Sequence, residues 1–202
     1  MRLFDYCYYN AWAWSAYFYG KIYHRIWYYN KNKIPMTGKL CIISNHQSFL
    51  DPPLIAAGIR RHICFMARDT LFKGLFGWHI SHLNAFPISH DKSPLAGIKE
   101  TLKRLKDEQA VLIFPEGTRS EDGSLGEFHK GIISVARRSK APILPCAIQG
   151  AYKAWSRHTK FPKPYKVTIT FGDVIPAEEV QAMDDDALLE RLRETISKML
   201  EQ

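Results

Sequence analysis

From residue 39 onward, short apolar runs alternate with amphipathic segments, a pattern that predicts an α/β fold. Runs typical of buried strands occupy residues 39–44, 62–66, 85–88, 110–114, 143–148 and 166–171. Helical periodicity follows Pro94, covers residues 127–139, and returns in a closing helix striped by Leu188, Leu192 and Ile196. Strands that alternate with helices indicate a mostly parallel sheet that is covered by helices on both faces.

The first 29 residues have a different character, because they contain 13 of the 26 aromatic side chains. Tyrosine and tryptophan favour the membrane–water interface, and residues 1–34 also carry five bases against the single acid Asp5. We therefore expect a helical membrane-contact segment over residues 1–34, hinged near Gly20, followed by a catalytic domain over residues 35–202. The alternatives are a helix that packs on the domain and an oligomer contact.

The charge distribution indicates an anionic partner. The net charge is +8, although residues 176–202 hold eight acids and three bases, so the positive charge belongs to the rest of the chain. The charge-free runs at residues 6–20 and 74–90 are shorter than the about 20 apolar residues of a membrane span. We expect association with the anionic surface of a membrane, on its cytoplasmic face. A nucleic-acid partner is disfavoured, because the aromatic residues do not interleave with bases along the chain.

The first polar cluster, residues 45–51, comes directly after the first predicted strand. Parallel sheets place functional loops at the carboxyl ends of their strands. His46 lies in this loop, and Asp51 begins the next predicted helix. A carboxylate beside an imidazole fixes its tautomer and stabilises the imidazolium, so the pair suits a general base with its orienting acid. Asp51 also has a purely structural interpretation, as the N-cap of the helix.

The second polar cluster, residues 114–120, follows another apolar strand. Gly117 allows the backbone to approach a ligand closely. Arg119 offers a planar fork suited to a phosphate, with hydroxyl donors on Thr118 and Ser120. Glu116 could orient Arg119 or a ligand hydroxyl. A tight surface turn would have the same composition, so chemistry alone leaves both interpretations open.

Together the two clusters resemble the glycerolipid acyltransferases, most closely the 1-acylglycerol-3-phosphate acyltransferases. The motif N-H-x-S-x-x-D at residues 45–51 is followed by F-P-E-G-T-R-S at residues 114–120. Further blocks that look like those of the family are found at residues 71–78, 84–88, 130–131, 141–145 and 171–172. The resemblance covers about residues 40–175, and the first two motifs are the diagnostic ones.

The resemblance implies acyl transfer from coenzyme A or acyl carrier protein to lysophosphatidic acid, without a bound cofactor. It implies that His46 is the catalytic base and Asp51 its partner. It further implies a substrate-binding group, which comprises Glu116, Gly117, Thr118, Arg119 and Lys130. Because a thioester is already activated, no covalent enzyme intermediate is required, and a positioned base contributes about 10²–10⁴ in rate.

One position departs from the pattern of the family. Its second block usually ends in an arginine that helps to bind phosphate, and His90 stands at that place here. Arg68 or Lys92 could supply the missing charge. The departure leaves open a related enzyme, an acyltransferase or transacylase for another lysolipid. A non-catalytic lipid-binding module is a second alternative, although it would not require His46, Asp51 and Glu116 together.

Other side chains give weaker signals. His79 and His82 are three residues apart, but no third ligand accompanies them, so a zinc site is disfavoured. The four cysteines are far apart and none forms a C-x-x-C pair, which indicates a reducing compartment and no disulfide framework.

Overall fold

A computed structural model describes residues 3–88 and 95–202 of the chain, in which seven strands form one sheet. The strands are β1 (Trp27–Tyr29), β2 (Leu40–Ser44), β3 (Ile63–Arg68), β4 (Ala85–Ile88), β5 (Ala110–Ile113), β6 (Ile143–Gln149) and β7 (Thr168–Phe171). Their spatial order is β1-β7-β6-β2-β5-β3-β4. The five strands from β6 to β4 are mutually parallel, whereas β7 is antiparallel to β6, and β1 pairs with β7 in parallel.

Helices cover both faces of this sheet. Those in the described ranges are α1 (Leu3–Tyr23), α2 (Asp51–Gly58), α3 (Gly74–His82), α4 (Leu95–Lys106), α5 (Gly131–Ser139), α6 (Ala151–Trp155), α7 (Ala177–Ala182) and α8 (Asp185–Leu200). Alternation along β2 separates two cores, because Leu40 and Ile42 join the side of α1 and α2 while Cys41 and Ile43 join the side of α5 and α8. The α/β class, with a mostly parallel sheet between helical layers, is confirmed.

Two predicted elements differ in detail. The helix expected from residue 127 begins at Gly131, because the preceding residues bond back to the loop after β5: Gly126 N–H donates to Glu116 and His129 N–H to Pro115. The last strand, β7, reverses direction, and its residues Thr168–Phe171 pair antiparallel with β6. The predicted helix start at Ser93 and Pro94 lies outside the described residues.

The expected hinge at Gly20 is wrong, since α1 continues unbroken from Leu3 to Tyr23. Gly20 serves close packing instead: a Cβ at this position would lie 3.0 Å from side-chain atoms of both Ile26 and Leu54. The segment also contributes β1 to the sheet, and Tyr9 of α1 is buried against the start of β3, where its hydroxyl accepts from Ile63 N–H at 3.2 Å. Division of the chain at residue 34 stays a prediction.

The outer face of α1 is apolar. Trp14, Phe18 and Ile22 lie four residues apart on one side of the helix and are 62%, 56% and 79% exposed. Among residues 3–88 and 95–202, no helix combines the length and hydropathy needed to cross a bilayer.

Candidate active site

The two polar clusters lie side by side at the carboxyl edge of the sheet. They meet because β2 and β5 are parallel neighbours, paired from Leu40 with Ala110 to Ile43 with Ile113. The loops are bonded to each other, since Ser120 N–H donates to the His46 carbonyl at 2.8 Å. Residues separated by about 70 positions in the sequence therefore share one site.

His46 and Asp51 form a hydrogen-bonded pair. The His46 Nδ1 atom lies 2.7 Å from Asp51 Oδ2, and the Asp51 side chain is fully buried while that of His46 is 18% exposed. The imidazole stacks on the Phe114 ring, with centroids 3.9 Å apart and planes 14° apart. With Nδ1 engaged by the carboxylate and the ring held flat, Nε2 is the nitrogen left for a substrate hydroxyl.

Asp51 does not cap its helix. Leu50 precedes the first helical residue without a side-chain cap, and the Asp51 carboxylate turns back to the loop. Its Oδ2 atom accepts from Gln47 N–H at 2.6 Å and from Ser48 N–H at 2.7 Å, in addition to His46. The N-cap interpretation of Asp51 is therefore wrong, because this carboxylate organises the histidine loop.

Glu116 connects the two loops. Its Oε1 accepts from His46 N–H at 2.8 Å and its Oε2 from Gly126 N–H at 3.1 Å, with the side chain 7% exposed. Burial raises the pKa of the Glu116 carboxyl above its ordinary value, while the two backbone donors oppose that rise. Both oxygens are thus committed to the backbone, and Glu116 fixes the position of His46 along its loop.

The turn after Glu116 is open to solvent. Gly117 has a φ of +67°, which requires the left-handed conformation that glycine adopts most easily, and its N–H donates to the Phe114 carbonyl at 3.1 Å. Gly117 and Thr118 are both exposed, so a ligand can reach their backbone and hydroxyl groups.

Arg119 has the features of a phosphate contact. Its guanidinium carbon lies 3.5 Å from the centre of the Phe49 ring, and its Nη1 is buried without a hydrogen-bond partner among the described residues. Burial lowers the pKa of Arg119, and the charges of Arg157 and Arg68 lower it further, while Asp51 acts in the opposite direction. The charges of Arg119 and Arg68 make this edge attractive to an anion, while Arg157 is paired with Glu121.

The remaining residues that the sequence analysis considered for phosphate binding lie near this cluster, apart from it, or outside the residues that the structure describes. Arg68 is exposed at the end of β3, close enough to act on Arg119, whereas Lys130 Nζ lies 2.5 Å from Asp186 Oδ1. The latter contact directs Lys130 toward the acidic start of α8. His90 and Lys92 lie outside the described residues.

The two histidines considered for zinc make other contacts. His79 Nδ1 lies 2.7 Å from the Tyr8 hydroxyl, and His82 Nδ1 lies 2.7 Å from the Trp78 carbonyl. In the part of the chain that the structure describes, no group of three or more potential ligands is placed to hold a metal ion.

Sequence reasoning missed the residues that frame the site. The Asn45 amide pairs with both backbone groups of Ile148 on β6, at 2.9 and 2.8 Å. Gln47 bonds to the Gly123 carbonyl, and the Ser48 hydroxyl donates to the Trp155 carbonyl. These polar residues lie within the first motif and could be read from the sequence. Their hydrogen-bond partners could not be predicted, because they are about 75 to 107 positions away along the chain.

An apolar cavity of about 150 Å³ adjoins the site. It shares Phe114, Pro115 and Gly117 with the loop after β5, and extends between α4 and α5 past Ile98 and Val135. An opening with this lining accepts hydrocarbon more readily than polar groups.

The family model and similar curated proteins agree on one family, the acyltransferases. The family model described as Acyltransferase matches residues 25–149. A 1-acyl-sn-glycerol-3-phosphate acyltransferase of Bacillus subtilis is 30% identical over 182 residues, which cover 85% of this chain and 88% of the relative. An enzyme of the same name from Pseudomonas aeruginosa is 32% identical over 146 residues, covering 69% of this chain and 56% of the relative.

The fold has a counterpart among solved structures. The crystal structure of the 1-acyl-sn-glycerophosphate acyltransferase of Thermotoga maritima superposes with a TM-score of 0.83, at 24% identity, over 100% of this chain and 83% of the other. This likeness covers the whole α/β architecture.

Proposed function

The chain belongs to the acyltransferase family, and from this premise we propose that it transfers a fatty acyl group from a thioester to the free hydroxyl of 1-acylglycerol 3-phosphate, which yields phosphatidic acid. The observation that carries the proposal is the His46–Asp51 pair beside the unpartnered guanidinium nitrogen of Arg119. A base and a phosphate contact at one edge match an acceptor that has both a hydroxyl and a phosphate.

In the proposed reaction, His46 Nε2 takes the proton from the acceptor hydroxyl as its oxygen attacks the thioester carbonyl. The tetrahedral intermediate collapses with cleavage of the carbon–sulfur bond, and the imidazolium returns the proton to the departing thiolate. Asp51 keeps the N–H on Nδ1 and stabilises the transient imidazolium. No bound cofactor is needed, because the thioester on coenzyme A or acyl carrier protein is already activated.

The acceptor phosphate is proposed to bind to Arg119, with the backbone of Gly117, the Thr118 hydroxyl and Arg68 around it. The buried nitrogen of Arg119 supports this role, and its ring contact with Phe49 holds the guanidinium in place. Glu116 supports the site as a positioning residue through its bonds to the backbone of His46 and Gly126. The apolar cavity beside Phe114 suits part of an acyl chain.

One assay tests the reaction and the acceptor. Purified protein in detergent is incubated with fatty acyl-coenzyme A or acyl carrier protein and with lysolipids of different headgroups, and thiol release is followed. We expect the fastest release with the phosphate monoester acceptor. Absence of release with every pair would instead support a lipid-binding module, and faster release with another lysolipid would reassign the acceptor.

Arg119→Lys should raise the KM for the acceptor far more than the KM for the donor. Lysine keeps the charge but loses the bidentate fork and the flat contact with Phe49, so a loss of about 1–2 kcal/mol, or about 5–30-fold, is expected. Steady-state kinetics with each substrate varied in turn measures the split. Arg138→Lys, at an exposed position of α5, is the matched control. Equal changes in both KM values would contradict a phosphate contact.

We also propose that α1 lies in the interface of the cytoplasmic leaflet, with Trp14, Phe18 and Ile22 toward the lipid. Because deletion of residues 1–29 would remove buried Tyr9 and strand β1, substitutions on the outer face give a cleaner test. Phe18→Gln with Ile22→Gln should weaken binding to vesicles at least about tenfold, since each buried apolar side chain contributes about 1.5–3 kcal/mol. Flotation measures binding and circular dichroism checks the fold. Unchanged flotation of a folded variant would place the membrane contact elsewhere.

A further inference from the structure

A second cavity lies at the opposite edge of the sheet from His46. Its volume is about 560 Å³, and it runs along one face of α1 past Tyr9, Trp14 and Tyr17. The facing wall is formed by residues 59–62, which connect α2 to the start of β3, and by Lys31. Because the parallel strands begin at this edge, the cavity is separate from the acceptor cluster at their carboxyl ends.

Positive charge gathers around this cavity, where the carboxylate of Glu108 acts on Arg61. Within residues 3–88 and 95–202, no carboxylate lies within ion-pair distance of Lys31 or Arg60. Burial lowers the pKa of Lys31, and the charges of Arg60 and Lys21 lower it further, so these cations repel one another. Arg61 is already used by the fold, because it donates to the carbonyls of Pro35 and Gly38.

Aromatic rings hold Lys31 in place. Lys31 Nζ lies 5.2 Å from the centre of the Tyr28 ring and 5.8 Å from that of Tyr17, and the two rings stack with an interplanar angle of 9°. The Tyr28 hydroxyl donates to the Leu54 carbonyl at 2.9 Å, which anchors the stack on α2. Cations on a fixed aromatic platform can meet an anion with little loss of side-chain freedom.

We propose that this cavity binds the phosphate headgroup of an anionic membrane lipid, held by Lys31 and Arg60. A lipid is favoured over a free anion because the cavity opens beside Trp14, which begins the exposed apolar stripe of α1. The headgroup phosphate would neutralise the repelling cations while the glycerol and first methylenes contact the aromatic wall. The inference rests on the proposed membrane contact of α1, and it makes no use of His46 or of acyl transfer.

The test uses a short-chain soluble lipid, so that binding is measured without a membrane. Calorimetric titration of the full chain with dihexanoylphosphatidylglycerol, below its critical micelle concentration, should show saturable binding. The double variant Lys31→Gln with Arg60→Gln should weaken it at least about tenfold, because it removes both charged donors to the headgroup phosphate. The control Lys103→Gln with Lys106→Gln makes the same change in net charge on α4, on the other face of the sheet, and should bind as the unmodified chain does.

Further titrations distinguish this lipid site from a free-phosphate site and from the acceptor cluster. Inorganic phosphate should bind much more weakly than the lipid, and equal affinity would overturn the assignment to a lipid. Arg119→Gln should retain lipid binding, because its guanidinium lies at the other edge; loss of binding in that variant would place the lipid in the acceptor cluster. An unchanged affinity in the Lys31 and Arg60 double variant would also overturn the proposal. None of these three binding measurements depends on acyl transfer. Each can therefore be interpreted even if the protein proves inactive as an acyltransferase.

Discussion

Replacement of His46 by alanine is expected to lower kcat by about 10²–10⁴-fold while the protein remains folded. The reason is geometric: Nδ1 of His46 is held by Asp51, so the ring presents Nε2 to the acceptor as the proposed base. The backbone of residue 46 keeps its bonds to Glu116 and Ser120, because both use main-chain atoms that alanine retains. Positioning of the substrates should therefore survive, and the loss should fall on the chemical step.

The measurement is steady-state thiol release at saturating donor and acceptor, with thermal unfolding as the check on folding. His158→Ala is the matched control, since this exposed histidine contacts Glu121 and not the His46–Asp51 pair. A His46→Ala protein with turnover near that of the unmodified chain would remove the imidazole from the mechanism.

The second large effect concerns Asp51, where asparagine and alanine should differ. In other catalytic triads, replacing the acid by its amide lowers kcat by about 10⁴ because the histidine takes the wrong tautomer. Here the N–H groups of Gln47 and Ser48 both point at Oδ2, so an asparagine at position 51 must place its oxygen there. The His46 tautomer is then preserved, and Asp51→Asn loses charge assistance alone, about 1–2 kcal/mol or about 5–30-fold in kcat.

Asp51→Ala removes the acceptor of all three donors. Two backbone N–H groups are left buried and unpaired, each at a cost of about 1–3 kcal/mol, so stability should fall together with kcat. We would compare kcat and the unfolding midpoint of the two variants. This comparison distinguishes the effect of losing the Asp51 charge from the effect of disordering the loop that it organises. A loss in Asp51→Asn as large as that in His46→Ala would show that the backbone donors do not control the tautomer.

Much of the fold was predictable because its strands are short, continuous apolar runs. Strands β2 to β6 were predicted within two residues of their observed limits, and their parallel orientation was expected from the intervening helices, whereas their order in the sheet was not predicted. Strand β1 was missed because its three residues continue an aromatic run that reads as helix or interface. The direction of β7 could not be predicted either, because strand propensity does not reveal whether a strand runs parallel or antiparallel to its neighbour.

The candidate site was likewise predictable only in part. His46 and Asp51 were predicted as partners from one loop, and their 2.7 Å contact places them together. The stack of Arg119 on Phe49 joins two separate loops and leaves no local signal in the sequence. Lys130 was grouped with the site by resemblance, while its observed contact is with Asp186. Local spacing identifies candidate groups, and only the packing of the sheet decides which of them meet.

The pairing of β1 with β7 has a consequence for the order of events during synthesis. Helix α1 and strand β1 are made before the rest of the sheet, and Thr168, the partner of Trp27, is made about 140 residues after it. At usual translation rates the delay is on the order of ten seconds. Throughout this interval β1 lacks the neighbouring strand β7, and the exposed side chains Trp14, Phe18 and Ile22 of α1 are free to contact a nearby bilayer. We expect nascent chains to associate with lipid before the catalytic edge has formed.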